Sequence, residues 1–189
     1  MEVTKLICVG DCQSGKTSLM LSYQDNMFTF VYHLPNLWDG LRIIVSLSGI
    51  PADLFILDTV AHSDYDRLRP LAYPHTEIFF ITFSSICPAS LENAQSKWFA
   101  EIKHHCPDAM IFLVATKIDL RNDVVVLEKL KEKKLVPVSS DEGATLAKKL
   151  GIRYFETSAL TGKGVRDVFE AAILTVQKGQ KISKKCVIC

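Results

Sequence analysis

The chain has 189 residues and a formal net charge of +1, and its composition is 48% hydrophobic and 23% charged. These values predict one globular domain with a three-layer core and exclude a disordered chain. No apolar run reaches transmembrane length, and the N-terminus lacks the basic and apolar regions of a secretion signal. The six cysteines stand at irregular positions, so we expect them to be mostly reduced.

The first motif is a phosphate-binding loop of the GxxxxGK[ST] type at residues 10–17. The apolar run 6–9 predicts a short buried strand before it, and residues 17–23 predict a helix after it. Backbone N–H groups and the positive end of a helix dipole can then hold a polyphosphate. Lys16 would place its charge beside the outer phosphates, and the Thr17 hydroxyl would bind a Mg²⁺ ion. The candidate nucleotide ligands here are Asp11, Cys12, Gln13, Ser14, Gly15, Lys16, Thr17 and Ser18.

Strands and helices alternate along the rest of the chain, which predicts a mostly parallel sheet covered by helices on both faces. One antiparallel hairpin is expected, from residues 41–45 through a turn at 48–51 into residues 54–57. A second binding motif, Thr116-Lys117-Ile118-Asp119, follows the apolar run 111–115 and so lies at the carboxyl end of a strand. The Asp119 carboxylate can accept from two N–H groups of guanine, and Lys117 would lie along the base.

Three further segments resemble the Rho/Rac type of small GTPase within the Ras superfamily. They are residues 64–71, Trp98 with the His-His-Cys-Pro sequence at 104–107, and the Leu/Lys/Glu-rich run 127–135. Residues 64–71 resemble the helix of switch II in that family. The resemblance covers about residues 3–177 and implies an α/β P-loop small GTPase fold with a six-stranded, mostly parallel sheet and an insert helix at about 123–136. It implies that Ser158, Ala159 and Leu160 contact guanine, that Phe28 lies against the base, and that Asp58 contacts Mg²⁺ through water.

The last twelve residues contain four lysines and no acidic residue, so they contribute +4 and leave −3 for residues 1–177. They end in Cys186-Val187-Ile188-Cys189, a CaaX signal for prenylation of Cys186 that leaves the isoprenoid open. Because one lipid anchors a protein only marginally, the lysines are the expected second anchor. We expect a flexible tail over 178–189 that binds the cytoplasmic side of the plasma membrane or an endomembrane, with a cytosolic pool. A Cys-x-x-Cys redox or metal site is the alternative.

Six positions depart from the family pattern. In switch I, Asn36 aligns with the family's Mg²⁺-binding Thr after a one-residue insertion, and its carbonyl can still ligate the ion. Cys12 and Ala61 replace glycines, and His62 replaces the Gln that orients the attacking water. Gln13 and Ser14 also differ, but we expect them to contribute mainly backbone.

The substitutions predict that GTP binding is retained and hydrolysis is lost, so that no hydrolytic residue is intact. Two other roles stay open: His62 as a general base, and redox control through Cys12, which adjoins Lys16 and a helix N-terminus. We therefore predict a membrane-anchored Rho-like protein that binds GTP or GDP with Mg²⁺ and acts on actin or membrane processes. The alternatives are a slow but cycling GTPase, a nucleotide-free scaffold and, more remotely, a P-loop kinase. The expected partners are effectors at residues 30–42 and 60–75, exchange factors and a prenyl-binding dissociation inhibitor, but no nucleic acid.

Overall fold

The computed structural model describes residues 3–25, 28, 40–47 and 50–186. These form a six-stranded sheet in the order β2-β3-β1-β4-β5-β6. Only the β2–β3 pair is antiparallel, so the predicted hairpin and the mostly parallel sheet are both confirmed. The strands are β1 (Val3–Gly10), β2 (Gly40–Leu47), β3 (Ile50–Asp58), β4 (Ile78–Ser84), β5 (Met110–Thr116) and β6 (Arg153–Glu156).

The described part of the chain contains six α-helices. They are α1 (Lys16–Asp25), α2 (Pro88–Asn93), α3 (Ala100–His105), α4 (Val124–Glu132), α5 (Ser140–Leu150) and α6 (Val165–Cys186). A π-helical stretch, Ala94–Phe99, joins α2 to α3. None of the described helices is both long enough and apolar enough to span a bilayer.

The core forms two layers because successive side chains of a strand point to opposite faces of the sheet. On β4, Phe80 packs with Phe112 and Phe169 on the side of α1 and α6. Its neighbour Phe79 packs with Tyr73 and Trp98 on the side of α2, α3 and α5. All seven residues of β4 are buried, which is typical of a central strand covered on both faces.

The structure differs from the sequence predictions at three elements. A helix is present where the insert helix was predicted, at about 123–136, but it is shorter. It begins after the Asp123 N-cap and ends before Lys134, whose φ is 56°. The switch II segment is not one helix but two 3₁₀ turns, Ser63–Tyr65 and Arg69–Ala72, and Pro70 cannot donate to a continuous helix. Residues 178–186, predicted as part of a flexible tail, continue α6, since Lys and Gln are good helix formers.

Candidate nucleotide-binding site

The parallel strands place the sequence motifs at one edge of the sheet. β1 ends at Gly10 before the phosphate loop, β3 ends at Asp58, β5 ends at Thr116, and β6 ends at Glu156 just before residues 158–160. Because these strands run in the same direction, segments far apart in the chain meet at their carboxyl ends. The position of Asn36, predicted as a metal ligand, lies outside the described residues.

The phosphate loop depends on two glycine backbones. Gly10 has a φ of 147°, and a Cβ atom there would lie 2.3 Å from the carbonyl oxygen of Thr82. Gly15 has a φ of 90°, a conformation that residues with a side chain rarely adopt. Gln13, which has no such freedom, nevertheless has a φ of 60°. The predicted strand, loop and helix are confirmed in that order, with α1 beginning at Lys16.

Lys16 lies inside the loop rather than in solvent. Its side chain is buried, and its Nζ atom donates to the carbonyl oxygens of Gly10 at 3.0 Å and Asp11 at 2.9 Å. Burial lowers the pKa of Lys16, although the nearby Asp58 opposes this shift. A buried cation held by two backbone carbonyls is preorganised to meet the negative charge of a phosphate.

The predicted magnesium ligands Thr17 and Asp58 meet directly. The Thr17 hydroxyl donates to Oδ2 of Asp58, and the other carboxylate oxygen accepts from the backbone N–H of Thr59 at 3.0 Å. Asp58 is fully buried. A hydroxyl beside a carboxylate, next to a loop that holds phosphate, is an oxygen donor set that fits Mg²⁺. These two residues would hold the ion, which neutralises phosphate charge when bound.

Ser14 is more than a backbone contributor, which corrects the sequence prediction. Its hydroxyl is buried and lies 2.7 Å from Oγ1 of Thr82, whose own proton goes to the carbonyl oxygen of Val9 at 3.1 Å. The Ser14 carbonyl oxygen also accepts from the Thr116 hydroxyl at 2.5 Å. Hydrogen bonds of Ser14 therefore join the phosphate loop to both β4 and β5.

A cavity of about 370 Å³ is lined by residues that were predicted to bind the base. Its wall includes Gly15, Ser18, Phe28, Thr116, Lys117, Asp119, Ala159 and Leu160. Lys117 has a φ of 57°, and its Nζ donates to the carbonyl oxygen of Gln13 at 2.8 Å, which joins the base site to the phosphate loop. A slightly larger cavity of about 380 Å³ shares Phe28, Ala159 and Leu160 but has neither Lys117 nor Asp119. The presence of Lys117 and Asp119 in its wall, rather than its volume, identifies the first cavity as the candidate base site.

The structure gives Ser158 a role in a turn, and the cavity wall contains residues that the sequence did not indicate. Ser158 is fully buried and shapes the turn instead of lining the cavity, because its N–H donates to the carbonyl oxygen of Lys163 at 2.9 Å and its hydroxyl accepts from Thr161 N–H at 3.1 Å. The cavity wall also contains Leu19, Leu120 and Thr157. Each lies within one residue of a predicted ligand, so proximity along the chain was the available signal.

The three substituted hydrolytic positions have distinct surroundings. Cys12 is an exposed free thiol at the loop. Ala61 is half-buried, and its φ is not positive, so its methyl group is accommodated without a left-handed backbone. The His62 imidazole is 65% exposed, and its Nδ1 atom accepts from the backbone N–H of Asp64 at 3.3 Å. His62 therefore caps the following 3₁₀ turn, a role that the sequence did not indicate.

The fold and the phosphate loop together define a P-loop nucleotide-binding protein, with Lys117 and Asp119 in the wall of the adjoining cavity. A family model described as the Ras family matches residues 5–178. The chain belongs to the Ras family of small GTPases, and its fold is the Ras-like P-loop fold. It is a GTP-binding protein of the Ras superfamily, whose members bind GTP or GDP, typically with Mg²⁺, and generally interact with effectors and exchange factors.

Proposed function

We propose that this protein is a Rho-type, membrane-anchored signalling GTPase that hydrolyses GTP weakly and is largely GTP-bound. It acts through effectors at residues about 30–42 and 60–75 on actin cytoskeleton or membrane processes. Exchange factors and a prenyl-binding dissociation inhibitor are its other expected partners. The anchor is a prenyl group on Cys186 together with the C-terminal lysines.

The observation that carries this proposal is the contrast between the binding and the hydrolytic residues. Lys16, Thr17 and Asp58 are buried or joined by hydrogen bonds at the phosphate and metal site, and Lys117 and Asp119 line the base cavity. The substitutions at positions 12, 61 and 62 instead fall where water and the γ-phosphate would react. Because phosphoryl transfer depends mainly on positioning and electrostatics, loss of the water-orienting Gln removes hydrolysis without removing affinity.

The contacts of His62 add support. Catalysis at this position requires the side chain to reach a water beside the γ-phosphate. The imidazole is instead directed to the Asp64 N–H at 3.3 Å and lies 3.3 Å from an Asp64 carboxylate oxygen. A side chain that caps its own turn is poorly placed to orient that water.

The Rho-type assignment is supported by helix α4, which lies between β5 and α5 where the sequence resemblance implies an insert helix. Only Leu130 of this helix is buried, and Val124 and Val125 are 68% and 57% exposed. The helix therefore projects from the domain rather than completing its core. It is stabilised locally by Asp123, whose side chain accepts from the Val126 N–H at 2.9 Å.

The direct test is the nucleotide that the freshly purified full chain carries, measured by ion-exchange chromatography after denaturation. GDP formation from bound GTP is then followed under single-turnover conditions. We expect mostly GTP and negligible turnover. Mostly GDP with a rate of about 10⁻⁴ s⁻¹, the intrinsic range of Ras, would instead support the slow but cycling GTPase. A chain without nucleotide and without Mg²⁺-dependent stabilisation by GTP would support the scaffold.

Membrane anchoring is tested by one substitution and its matched control. Cys186→Ser in the N-terminally tagged full chain should move it from the membrane fraction to the soluble fraction, since lysines alone bind anionic lipid weakly. Cys189→Ser leaves a CaaX signal that ends in Ser, so this variant should still be prenylated and stay with membranes. Equal membrane binding of the two variants would contradict prenylation as the anchor.

A further inference from the structure

The side chain of Asp11 is held by the helical segment across from the phosphate loop. Its Oδ1 atom accepts from the indole Nε1–H of Trp98 at 2.7 Å, and its Oδ2 atom accepts from the amide Nδ2 of Asn93 at 2.8 Å. The backbone of the same residue accepts from Lys16 Nζ at 2.9 Å and from Ser14 N–H at 3.1 Å. Asp11 therefore connects the interior of the loop to two donors outside it.

Trp98 occupies an unusual place in the fold. It lies in the π-helical stretch Ala94–Phe99, and its side chain is 1% exposed. π-helical turns are rare and are frequently found at functional sites. The Arg69 guanidinium and the Lys97 ammonium lie 4.6 Å and 4.8 Å from the centre of the indole ring, within the range of cation–π attraction.

Arg69 connects Trp98 to the segment that contains the substituted residues Ala61 and His62. Its side chain is 1% exposed, and it forms two hydrogen bonds with the Glu101 carboxylate, at 2.9 Å and 2.6 Å. It also donates to the Val60 carbonyl oxygen at 3.1 Å and to Asp66 at 2.7 Å. Val60 directly precedes Ala61 and His62, so one buried guanidinium joins the hydrolytic segment to the Trp98 ring.

We propose that Trp98 is a positioning residue for nucleotide retention, which it supports by fixing the Asp11 carboxylate. In this arrangement Asn93 is the second support of Asp11, and Arg69 links the same indole to residues 60–66. Trp98 is not in the wall of the base cavity, so its effect on the nucleotide passes through the phosphate loop. The inference rests on the nucleotide binding contained in the proposed function, but not on impaired hydrolysis.

The test is the release rate of fluorescent mant-GDP from the full chain, chased with excess GDP in the presence of Mg²⁺. Trp98→Phe keeps an aromatic side chain and removes the N–H donor, so we expect release to accelerate roughly tenfold, the lower end of the effect of losing one hydrogen bond to a charged group. Asn93→Ala removes the other donor at a half-buried helical position that tolerates Ala, and it should accelerate release roughly twofold.

Tyr154→Phe is the matched control, because it deletes another aromatic donor to a carboxylate, the Tyr154 hydroxyl 2.8 Å from Glu156 Oε1. This variant should lower thermal stability without changing the release rate. If Trp98 had only a structural role, Trp98→Phe would also lower thermal stability without changing the release rate. That result would overturn the proposal.

A double-mutant comparison isolates the route through Asp11. If Trp98 acts by fixing the Asp11 carboxylate, the double variant Asp11→Ala with Trp98→Phe should release mant-GDP as fast as Asp11→Ala alone. Additive effects would overturn the proposal while leaving nucleotide binding intact. An unmodified chain that binds no mant-GDP would instead overturn the proposed function, and this inference with it.

Discussion

The triple variant Cys12→Gly, Ala61→Gly and His62→Gln should hydrolyse bound GTP in a single turnover at the intrinsic rate of Ras, about 10⁻⁴ s⁻¹, where the unmodified chain shows negligible turnover. Gly at position 12 removes the exposed thiol from the loop, and Gly at 61 restores backbone freedom beside the γ-phosphate. Gln at 62 returns an amide that can orient the attacking water. The measurement is GDP formed over time from chain loaded with GTP and Mg²⁺.

The control variant makes the same three kinds of amino-acid substitution at positions away from the phosphate loop. Cys106→Gly, Ala109→Gly and His104→Gln change the last turn of α3 and the segment after it, where Cys106 Sγ lies 3.7 Å from the Tyr73 carbonyl oxygen. This control should leave hydrolysis unchanged. If the first triple variant also remains inactive, the barrier to hydrolysis lies elsewhere than at positions 12, 61 and 62.

The single substitution His62→Gln distinguishes a role of His62 in positioning the water from a role as a general base. Removing the His62 imidazole frees the Asp64 N–H and exposes the 3₁₀ turn to fraying, so His62→Gln alone should change both the turn and the water site. If His62 acts as a general base in the unmodified chain, His62→Gln alone would lower the rate of hydrolysis. An increase would contradict that role and support positioning as the missing element.

The parts of the fold that the sequence predicted are those governed by local pattern. The phosphate loop needs glycines at positions 10 and 15, and the structure shows why, since both have φ values between 90° and 147°. The hairpin of β2 and β3 follows from hydrophobic patterning and turn position. Lys117 and Asp119 were recognisable because a parallel strand ends immediately before them.

The parts that the sequence did not predict depend on contacts between distant segments. Trp98 could be recognised as part of a resemblance, but its N–H donates to Asp11, which is 87 positions away in the chain. The Ser14–Thr82 hydroxyl pair joins residues 68 positions apart, and no local pattern indicates that Ser14 faces β4 rather than the nucleotide. The capping role of His62 was missed for a different reason, because His is not among the preferred N-cap residues Ser, Thr, Asp, Asn and Gly.

Lys16→Ala should remove most of the stabilisation that GTP with Mg²⁺ gives to the folded chain. A ligand present at about 1,000 times its Kd raises the free energy of unfolding by about 4 kcal/mol. Loss of a charged donor to the outer phosphates should weaken binding roughly 100-fold, which removes more than half of that stabilisation. The measurement is the shift in Tm with GTP and Mg²⁺, compared between the variant and the unmodified chain.

Lys5→Ala is a close control, because Lys5 also places its Nζ atom between two backbone carbonyl oxygens, those of Ala72 at 2.6 Å and Pro74 at 2.8 Å. Burial lowers the pKa of both lysines. Lys5 lies near the amino end of β1, whereas Lys16 follows its carboxyl end, where the nucleotide motifs meet. Lys5→Ala should therefore lower the Tm of the unliganded chain and leave the shift produced by GTP unchanged. A full GTP shift in Lys16→Ala would mean that the phosphates are not held at this loop, and the guanine cavity alone would then have to account for binding.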